Sequence, residues 1–280
     1  MNNFLKRLFT GIGYIILMAG SILAGKYCFG ILFLALTLLT LHEYFRFFSG
    51  SPYPLQKASG LVAGGFIFIM SFLVFSGIAD SGYLSLIIPA VLVVLIIEIY
   101  RNKDNPFIST ALLTLGWLYI AIPYSLAAYL AFPEANHHQY TPGILLGLLT
   151  LIWLNDTGAY VVGMLFGKHR LFERISPKKS WEGAAGGTVF TLLLGYFLNH
   201  FTPYLSRFDW IVLSIIVSVF GIYGDLFESL LKRNIGVKDS GNLLPGHGGL
   251  LDRMDSLLFI IPASCAYLML KAIFHINIPA

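Results

Sequence analysis

The stretch GYLSLIIPAVLVVLIIEIY at residues 82–100 has the length and composition of a bilayer-crossing helix, because its one acidic or basic side chain is Glu98. A spanning helix needs about 20 mainly apolar residues. Eight other stretches are similarly apolar, at residues 8–25, 27–47, 58–77, 108–131, 142–166, 183–201, 209–231 and 256–275. The sequence therefore predicts an all-α integral membrane protein with about nine transmembrane helices.

The overall composition also indicates a membrane protein. Hydrophobic residues make up 57% of the chain and charged residues 11%, whereas a typical soluble domain is about 25% charged. The net charge of +4 resides in short loops rather than in a basic domain, so we expect no nucleic-acid partner. Cys28 and Cys265 lie apart in apolar stretches, which argues against a disulfide framework and a cysteine-based zinc site.

The basic residues predict the orientation. If the N-terminus is cytosolic, 15 of the 18 Lys and Arg residues face the cytosol, and only Lys26, Arg207 and Lys271 lie on the far side. Nine spans then place the C-terminus on the far side. Lys6 and Arg7 before an apolar run also resemble a signal peptide, but the apolar pattern continues directly into further spans, which favours a first transmembrane helix.

The charges divide the chain into two regions. Residues 1–141 are mostly apolar spans with short loops, and we expect them to form a scaffold that includes any dimer surface. Residues 142–280 contain two charged cytosolic loops, and we expect them to form the catalytic region. The sequence contains no internal repeat, so an inverted-repeat transporter gains no support.

Ionisable residues inside spans are costly and therefore mark candidate functional positions. Glu98 is next to a span end, and we interpret it as an interfacial partner of Arg101 or Lys103. Asp156 lies deep in an apolar run, about 18 Å of helix before Lys168. We expect it to line a polar cavity, with a polar contact between helices as the alternative.

One helix end carries a set of hard oxygen ligands. Asp225, Glu228, Ser229 and Lys232 are three or four residues apart, which places them on one helix face. Carboxylates and hydroxyls of this kind suit Mg²⁺, which also takes phosphate oxygens of a substrate. The alternative is a salt-bridged helix end without a metal.

A glycine-rich segment follows that helix end: KRNIGVKDSGNLLPGHGGLLDRMD, residues 232–255. Glycines allow backbone N–H groups to approach a phosphate, and Lys232, Arg233 and Lys238 can neutralise phosphate charge. Asp252 and Asp255 are three residues apart where the last helix begins, and Asp239 and His247 add polar groups. This combination predicts a phosphate-handling site.

A second basic loop runs from Gly167 to Gly183 and includes Lys178 and Lys179. Ser180 suits the N-cap of the next helix, and Glu182 suits its first turn. The positive end of a helix favours anions, so this loop is a second candidate for phosphate binding. Attraction to anionic lipid is the alternative.

The segment SLLKRNIGVKDSGNLLPGHGGLLDRMD, residues 229–255, resembles the signature of the phosphatidate cytidylyltransferase family, also called CDP-diacylglycerol synthases. The family pattern is S-x-apolar-K-R-x4-K-D-x-small-x2-apolar-small-x-H-G-G-apolar-x-D-R-apolar-D, and every fixed position matches. Residues 156–187 also resemble the family's D-T-x-A-Y…G-K…S-P-K-K-[ST]-x-E-G segment, with Ser180 where many members have Thr. The N-terminal half matches only in its span pattern.

The resemblance implies transfer of CMP from CTP to phosphatidate for phospholipid biosynthesis, with Mg²⁺ as cofactor and a second cation such as K⁺ as an open alternative. It implies metal binding by Asp225 and Asp252, with Asp255 and Ser229 as further ligands. The residues implied for catalysis are Asp225, Asp252, Lys232, Lys238 and Asp239. Those implied for CTP or phosphatidate phosphates are Lys178, Lys179, Ser180, Arg233, His247, Gly248, Gly249 and Arg253. We expect Asp156 and Glu228 to line the cavity.

Three rival functions follow from parts of the pattern. A CTP-dependent polyprenol or lipid kinase shares the membrane site and the nucleotide. An ion-coupled transporter explains the buried acids but not the basic, glycine-rich segment. A CDP-alcohol phosphotransferase needs D-G-x2-A-R-x8-G-x3-D-x3-D, which this sequence lacks. The family resemblance implies CTP, phosphatidate and membrane lipid as partners, and a homodimer. The expected location is a bacterial inner membrane with the site facing the cytosol.

Overall fold

The computed structural model describes residues 3–50, 52–133, 138–202, 205–237, 239–241 and 248–274, with side chains from Thr10 onward. In the described chain the helices are α1 Asn3–Leu23, α2 Lys26–Phe47, α3 Lys57–Phe75, α4 Ile87–Arg101, α5 Pro106–Gly116, α6 Ile122–Ala131, α7 Pro142–Phe166, α8 Trp181–Leu198, α9 Arg207–Ile235 and α10 Leu251–Ile273. A 3₁₀ turn, Ser81–Leu86, leads into α4, and a π-helical turn, Trp117–Ala121, joins α5 to α6. Strands β1 Arg170–Phe172 and β2 Ser176–Ser180 form the antiparallel pair between α7 and α8.

The all-α membrane class is confirmed. Each of the nine apolar stretches is helical, and within the described residues seven helical stretches are long and apolar enough to cross a membrane. The two that fall short are α1, whose apolar part is Thr10–Leu23, and α8, whose first turn contains Glu182. The orientation of the termini stays a prediction.

The stretch predicted at residues 108–131 is an α-helix interrupted by the π-helical turn Trp117–Ala121. Pro123 follows this turn, and proline lacks the N–H that would bond to the preceding helical turn. The wider turn accommodates this break in the hydrogen-bond ladder. The indole N–H of Trp117 donates to the carbonyl of Gly60 at 2.9 Å, which fixes the irregular turn against α3.

The chain divides into two compact units. The first consists of residues 1–140 together with 239–253, and the second of residues 141–238 together with 254–280. Most of the glycine-rich segment thus belongs to the same unit as the N-terminal helices, which the sequence pattern did not indicate. The roles assigned to the two sequence regions stay predictions.

The first unit has an aromatic core. Phe29 of α2 contacts the rings of Phe33, Phe72 and Phe132 at centroid distances between 4.5 and 6.4 Å. At the end of α4, Glu98 pairs with Arg101 at 2.8 Å, as the sequence predicted, and also accepts from Gln56 at 2.6 Å. These polar contacts fasten α4 to the segment before α3.

The second unit is built on close packing of α7, α8 and α9. A Cβ added to Gly187 of α8 would lie 2.8 Å from the backbone oxygen of Asn155 in α7, so only glycine permits this approach. Hydroxyl groups join the same helices: Thr191 and Ser218 are 2.9 Å apart, and Ser218 donates to Asn155 at 3.4 Å. This packing positions α9, which carries part of the candidate site.

Candidate active site

Three carboxylates come together in the second unit. Oxygen atoms of Asp225, Glu228 and Asp255 all lie within 4.8 Å of one another. The side chain of Glu228 is 1% exposed and that of Asp225 is 30% exposed, so the group runs from the interior to an accessible edge. We call these three residues the carboxylate cluster.

A close helix crossing creates the cluster. Asp225 and Glu228 are three residues apart on α9, and Asp255 lies in the first turns of α10. Beside them, a Cβ on Gly224 would lie 2.5 Å from the backbone oxygen of Asp255 and 2.9 Å from the Cα of Ser256. Ser256 also donates to the carbonyl of Gly221 at 3.2 Å. The absence of a side chain at Gly224 therefore lets α10 approach α9 closely enough for the acids to meet.

Two lysines neutralise part of the cluster. Lys179 of β2 forms an ion pair with Asp225, and Lys232 pairs with Glu228 at 2.6 Å, four residues along α9. Three carboxylates and two ammonium groups leave one formal negative charge. The arrangement can attract a cation while it keeps positive groups within reach of phosphate oxygens.

The β1–β2 hairpin positions Lys179. Ser180 ends β2 and caps α8 by accepting from the Gly183 N–H at 3.2 Å, as predicted. The Glu182 carboxylate accepts from the backbone N–H groups of Lys168 and His169 at 3.1 and 3.2 Å and contacts His169 Nδ1 at 2.6 Å. The hydrogen bond from its own backbone N–H and the one from His169 lower the pKa of Glu182 to about 2. The base of the hairpin is therefore fastened by an ionised group.

The two lysines of the predicted loop differ in their surroundings. Lys178 is exposed and its neighbour Lys179 is half-buried. Only Lys179 contacts the carboxylate cluster among the ion pairs described for this hairpin. Lys178 remains available to an anion from solvent.

Residues 239–241 and 248–252 of the glycine-rich segment belong to the first unit and are hydrogen-bonded to one another. Asp252 Oδ2 accepts from the backbone N–H groups of Ser240 at 2.9 Å and Gly249 at 2.8 Å. Gly248 has φ +85, and a Cβ there would lie 2.6 Å from Asp252 Oδ2. Asp252 thus joins the two ends of residues 240–251, which we call the glycine-rich loop. The metal-binding role of Asp252 stays a prediction. Lys238 and His247, which were predicted to act here, lie outside the described residues.

The structure places the other predicted residues as follows. Ser229 is half-buried on α9, whereas Arg233, Asp239 and Arg253 are exposed. Asp156 is exposed on α7, and its neighbour Asn155 is the buried member that bonds to Ser218. The cavity role of Asp156 stays a prediction.

Sequence reasoning missed Glu43 of α2. Its side chain is buried and bonds to both ends of the glycine-rich loop, at Ser240 and at Leu251. An acidic residue within the apolar stretch 27–47 could have been noticed by the same argument that singled out Asp156. The hydrogen-bond partners of Glu43 could not have been predicted, because they lie about 200 residues away in sequence.

Comparison with known proteins identifies relatives of this chain. Residues 5–271 match the family model described as the cytidylyltransferase family. The phosphatidate cytidylyltransferase of Bacillus subtilis (strain 168) is 34% identical over 263 residues, which cover 92% of this chain and 94% of that protein. The phosphatidate cytidylyltransferases of Staphylococcus saprophyticus and Staphylococcus haemolyticus are 48% and 49% identical over 113 residues, or 40% of this chain and 44% of each relative.

Proposed function

Because the chain belongs to the cytidylyltransferase family, we propose that it transfers CMP from CTP to phosphatidate, giving CDP-diacylglycerol and pyrophosphate. The observation that carries this proposal is the carboxylate cluster with its two lysines, of which Asp255 and Lys232 belong to the signature at residues 229–255. A buried acid group next to lysines, at a helix end, suits a reaction that brings two polyanions together.

The reaction joins the lipid phosphate to the nucleotide. A phosphate oxygen of phosphatidate attacks the α-phosphorus of CTP, a new P–O bond forms, and the bond from the α-phosphorus to the β-phosphate bridging oxygen breaks. The electron pair leaves with pyrophosphate. The attacking phosphate is already an anion at neutral pH, so no general base is required. The protein must position the reactants and stabilise their charge.

The cluster fits a divalent cation. Its three carboxylates offer hard oxygen ligands, and the single formal negative charge left after pairing with Lys179 and Lys232 favours a cation that arrives with the nucleotide. We propose Mg²⁺ at Asp225, Asp255 and Glu228, where it would neutralise phosphate charge. Metal binding by Asp252, which the resemblance implies as a principal ligand, and by Ser229 stays a prediction, and so does a second cation such as K⁺.

In this proposal the two lysines of the site also bind phosphate oxygens. Lys179 and Lys232 are held beside the acids by ion pairs, and both can turn to phosphate oxygens when a cation binds the acids. Within the same unit, the exposed Lys178 and Arg233 add positive charge on the solvent side. Phosphate binding by Arg253 stays a prediction. We propose that CTP approaches from the cytosol and phosphatidate from the surrounding leaflet, and that two copies of the chain form the active enzyme.

The site of the label distinguishes cytidylyl transfer from the rival kinase reaction. Purified protein is incubated with phosphatidate, Mg²⁺ and CTP that is labelled at either the α- or the γ-phosphorus. We expect α-label in the lipid product and γ-label in pyrophosphate. Transfer of γ-label to lipid, with release of CDP, would instead establish a lipid kinase.

A further inference from the structure

Glu43 is a buried acid in the apolar helix α2, and the proposed chemistry does not use it. Its side chain is 7% exposed. Oε2 accepts from the Leu251 N–H at 2.9 Å and from the Ser240 hydroxyl at 3.3 Å. Oε1 has no hydrogen-bond partner among the described residues. Burial of a carboxylate is costly, so its position calls for a specific role.

The contacts of Glu43 continue into the rest of the glycine-rich loop. The Ser240 hydroxyl that donates to Glu43 accepts from the Asp252 N–H at 3.3 Å, and Asp252 Oδ2 accepts from the Ser240 N–H at 2.9 Å. Ser240 precedes the loop's central residues and Leu251 follows them. Glu43, Ser240 and Asp252 together therefore hold the two ends of the loop side by side. We call these three residues the loop clasp.

Two glycines allow the clasp to close. A Cβ on Gly241 would lie 2.7 Å from Glu43 Oε1, and a Cβ on Gly249 would lie 2.7 Å from Glu43 Oε2 and would also meet the Ser240 hydroxyl. Any side chain at either position would displace the carboxylate. The signature glycine Gly249 is thus explained by Glu43 and Ser240, in addition to any approach to phosphate.

We infer that Glu43 is a positioning residue for the reaction: it fixes residues 239–241 and 248–252, at the two described ends of the glycine-rich loop, in the arrangement that binds phosphate oxygens of CTP. This inference rests on the proposed function for its substrate and on the clasp for its geometry. A loop fixed before CTP binds loses less conformational entropy on binding. The role needs a hydrogen-bond acceptor in this position rather than a charge in contact with substrate.

A matched control lies in the same unit. Glu98 is also 7% exposed, but it bonds to Gln56 and Arg101 rather than to the loop. The variants Glu43→Leu and Glu98→Leu each remove a buried carboxylate of similar burial. A purely structural role predicts the same consequences for both, whereas the positioning role predicts that only Glu43→Leu affects the loop.

The first measurement is hydrogen–deuterium exchange of the segments 239–241 and 248–252 in the absence of substrate. In Glu43→Leu we expect exchange faster by roughly 10-fold or more, because the Leu251 amide loses its acceptor and the clasp opens. Glu43→Gln keeps one acceptor oxygen and should remain near the wild-type rate. Ser240→Ala removes the central hydroxyl and should resemble Glu43→Leu, which keeps the test possible if the leucine variant does not fold.

The second measurement is the Michaelis constant for each substrate. For Glu43→Leu we expect KM for CTP to rise about 10- to 100-fold and KM for phosphatidate to change little, as loss of preorganisation affects the ligand that the loop holds. Wild-type loop exchange and wild-type KM for CTP in both Glu43→Leu and Ser240→Ala would overturn the inference, and so would equal effects in Glu98→Leu. If wild-type protein forms no CDP-diacylglycerol, the proposed function fails, while the exchange measurement still tests the clasp.

Discussion

Glu228 is a buried carboxylate whose charge is balanced by a lysine on the same helix. Its carboxylate is 1% exposed, and Lys232, one helical turn further on α9, provides the opposing charge at 2.6 Å. The spacing of four residues places the two side chains on one helix face, and a salt-bridged helix end was the alternative interpretation of this sequence. The proximity of Asp255 could not be predicted, because it depends on the distance between α9 and α10 rather than on any spacing in sequence.

The pair predicts a non-additive response to substitution. Lys232→Met leaves a buried carboxylate without its ion-pair partner, which we expect to lower the free energy of unfolding by about 3–5 kcal/mol. The double variant Glu228→Met, Lys232→Met replaces the pair with apolar side chains and should recover most of that loss. Thermal unfolding in detergent measures both. Additive losses in the double variant would show that the pair is not coupled.

At the scale of elements, the crossing of α9 and α10 determines the geometry of the site. The crossing depends on Gly224, where the Cβ of any other residue would press on the backbone of α10. The sequence shows a glycine at position 224, but it does not identify the helix that approaches there. The β1–β2 hairpin was likewise not predicted, because its strands are only three and five residues long.

The two glycines of α9 provide a matched test of that crossing. Gly224→Ala should destabilise the protein by about 1–3 kcal/mol through overpacking and should reduce activity by moving Asp255. At Gly221 an added Cβ would lie 3.5 Å from Ile260 and 3.9 Å from Ser256, which is ordinary contact. Gly221→Ala should therefore be tolerated. Equal melting temperatures and activities for the two variants would contradict the assigned crossing.

We expect the stability of the β1–β2 hairpin to depend on Glu182 and on its ionisation. Glu182→Gln weakens the bonds to the Lys168 and His169 N–H groups, so trypsin should cleave after Arg174 and Lys178 roughly 10-fold faster. Glu173→Gln, on the exposed turn of the same hairpin, is the control and should not change the rate of cleavage after Lys178.

The pH dependence follows from the same carboxylate. Because the pKa of Glu182 is lowered from 4.5 to about 2, its stabilisation of the hairpin is complete above about pH 4.5 and is lost as the pH falls towards 2.

At the scale of the whole molecule, the sequence was sufficient for the fold class and for the identity of most charged residues near the site. Apolar length identifies spans, and ionisable residues within them identify candidates. The sequence was not sufficient to predict that residues 239–253 belong to the same unit as the N-terminal helices. That grouping depends on hydrogen bonds between Glu43 and residues near 240 and 251, and no periodicity reports contacts over such a separation.

The orientation remains to be measured. After Cys28 and Cys265 are replaced by Ala, single cysteines are introduced at Asp80 and at Arg174. We expect a membrane-impermeant maleimide applied outside intact cells to label Asp80→Cys and not Arg174→Cys, because the bias of 15 of the 18 basic residues to one side predicts that the hairpin faces the cytosol. The reverse labelling would invert the topology and would place the site on the far side.

The most direct test of the account is the activity of Asp225→Asn, since Asp225 belongs to the carboxylate cluster and pairs with Lys179. Product formation from CTP, Mg²⁺ and phosphatidate is compared for purified wild-type, Asp225→Asn and Asp104→Asn proteins, the last changing an exposed acid in a loop. We expect Asp225→Asn to insert normally and to lose about 10²- to 10³-fold or more in kcat, while Asp104→Asn retains full activity. Full activity in Asp225→Asn would contradict the assignment of the carboxylate cluster as the active site.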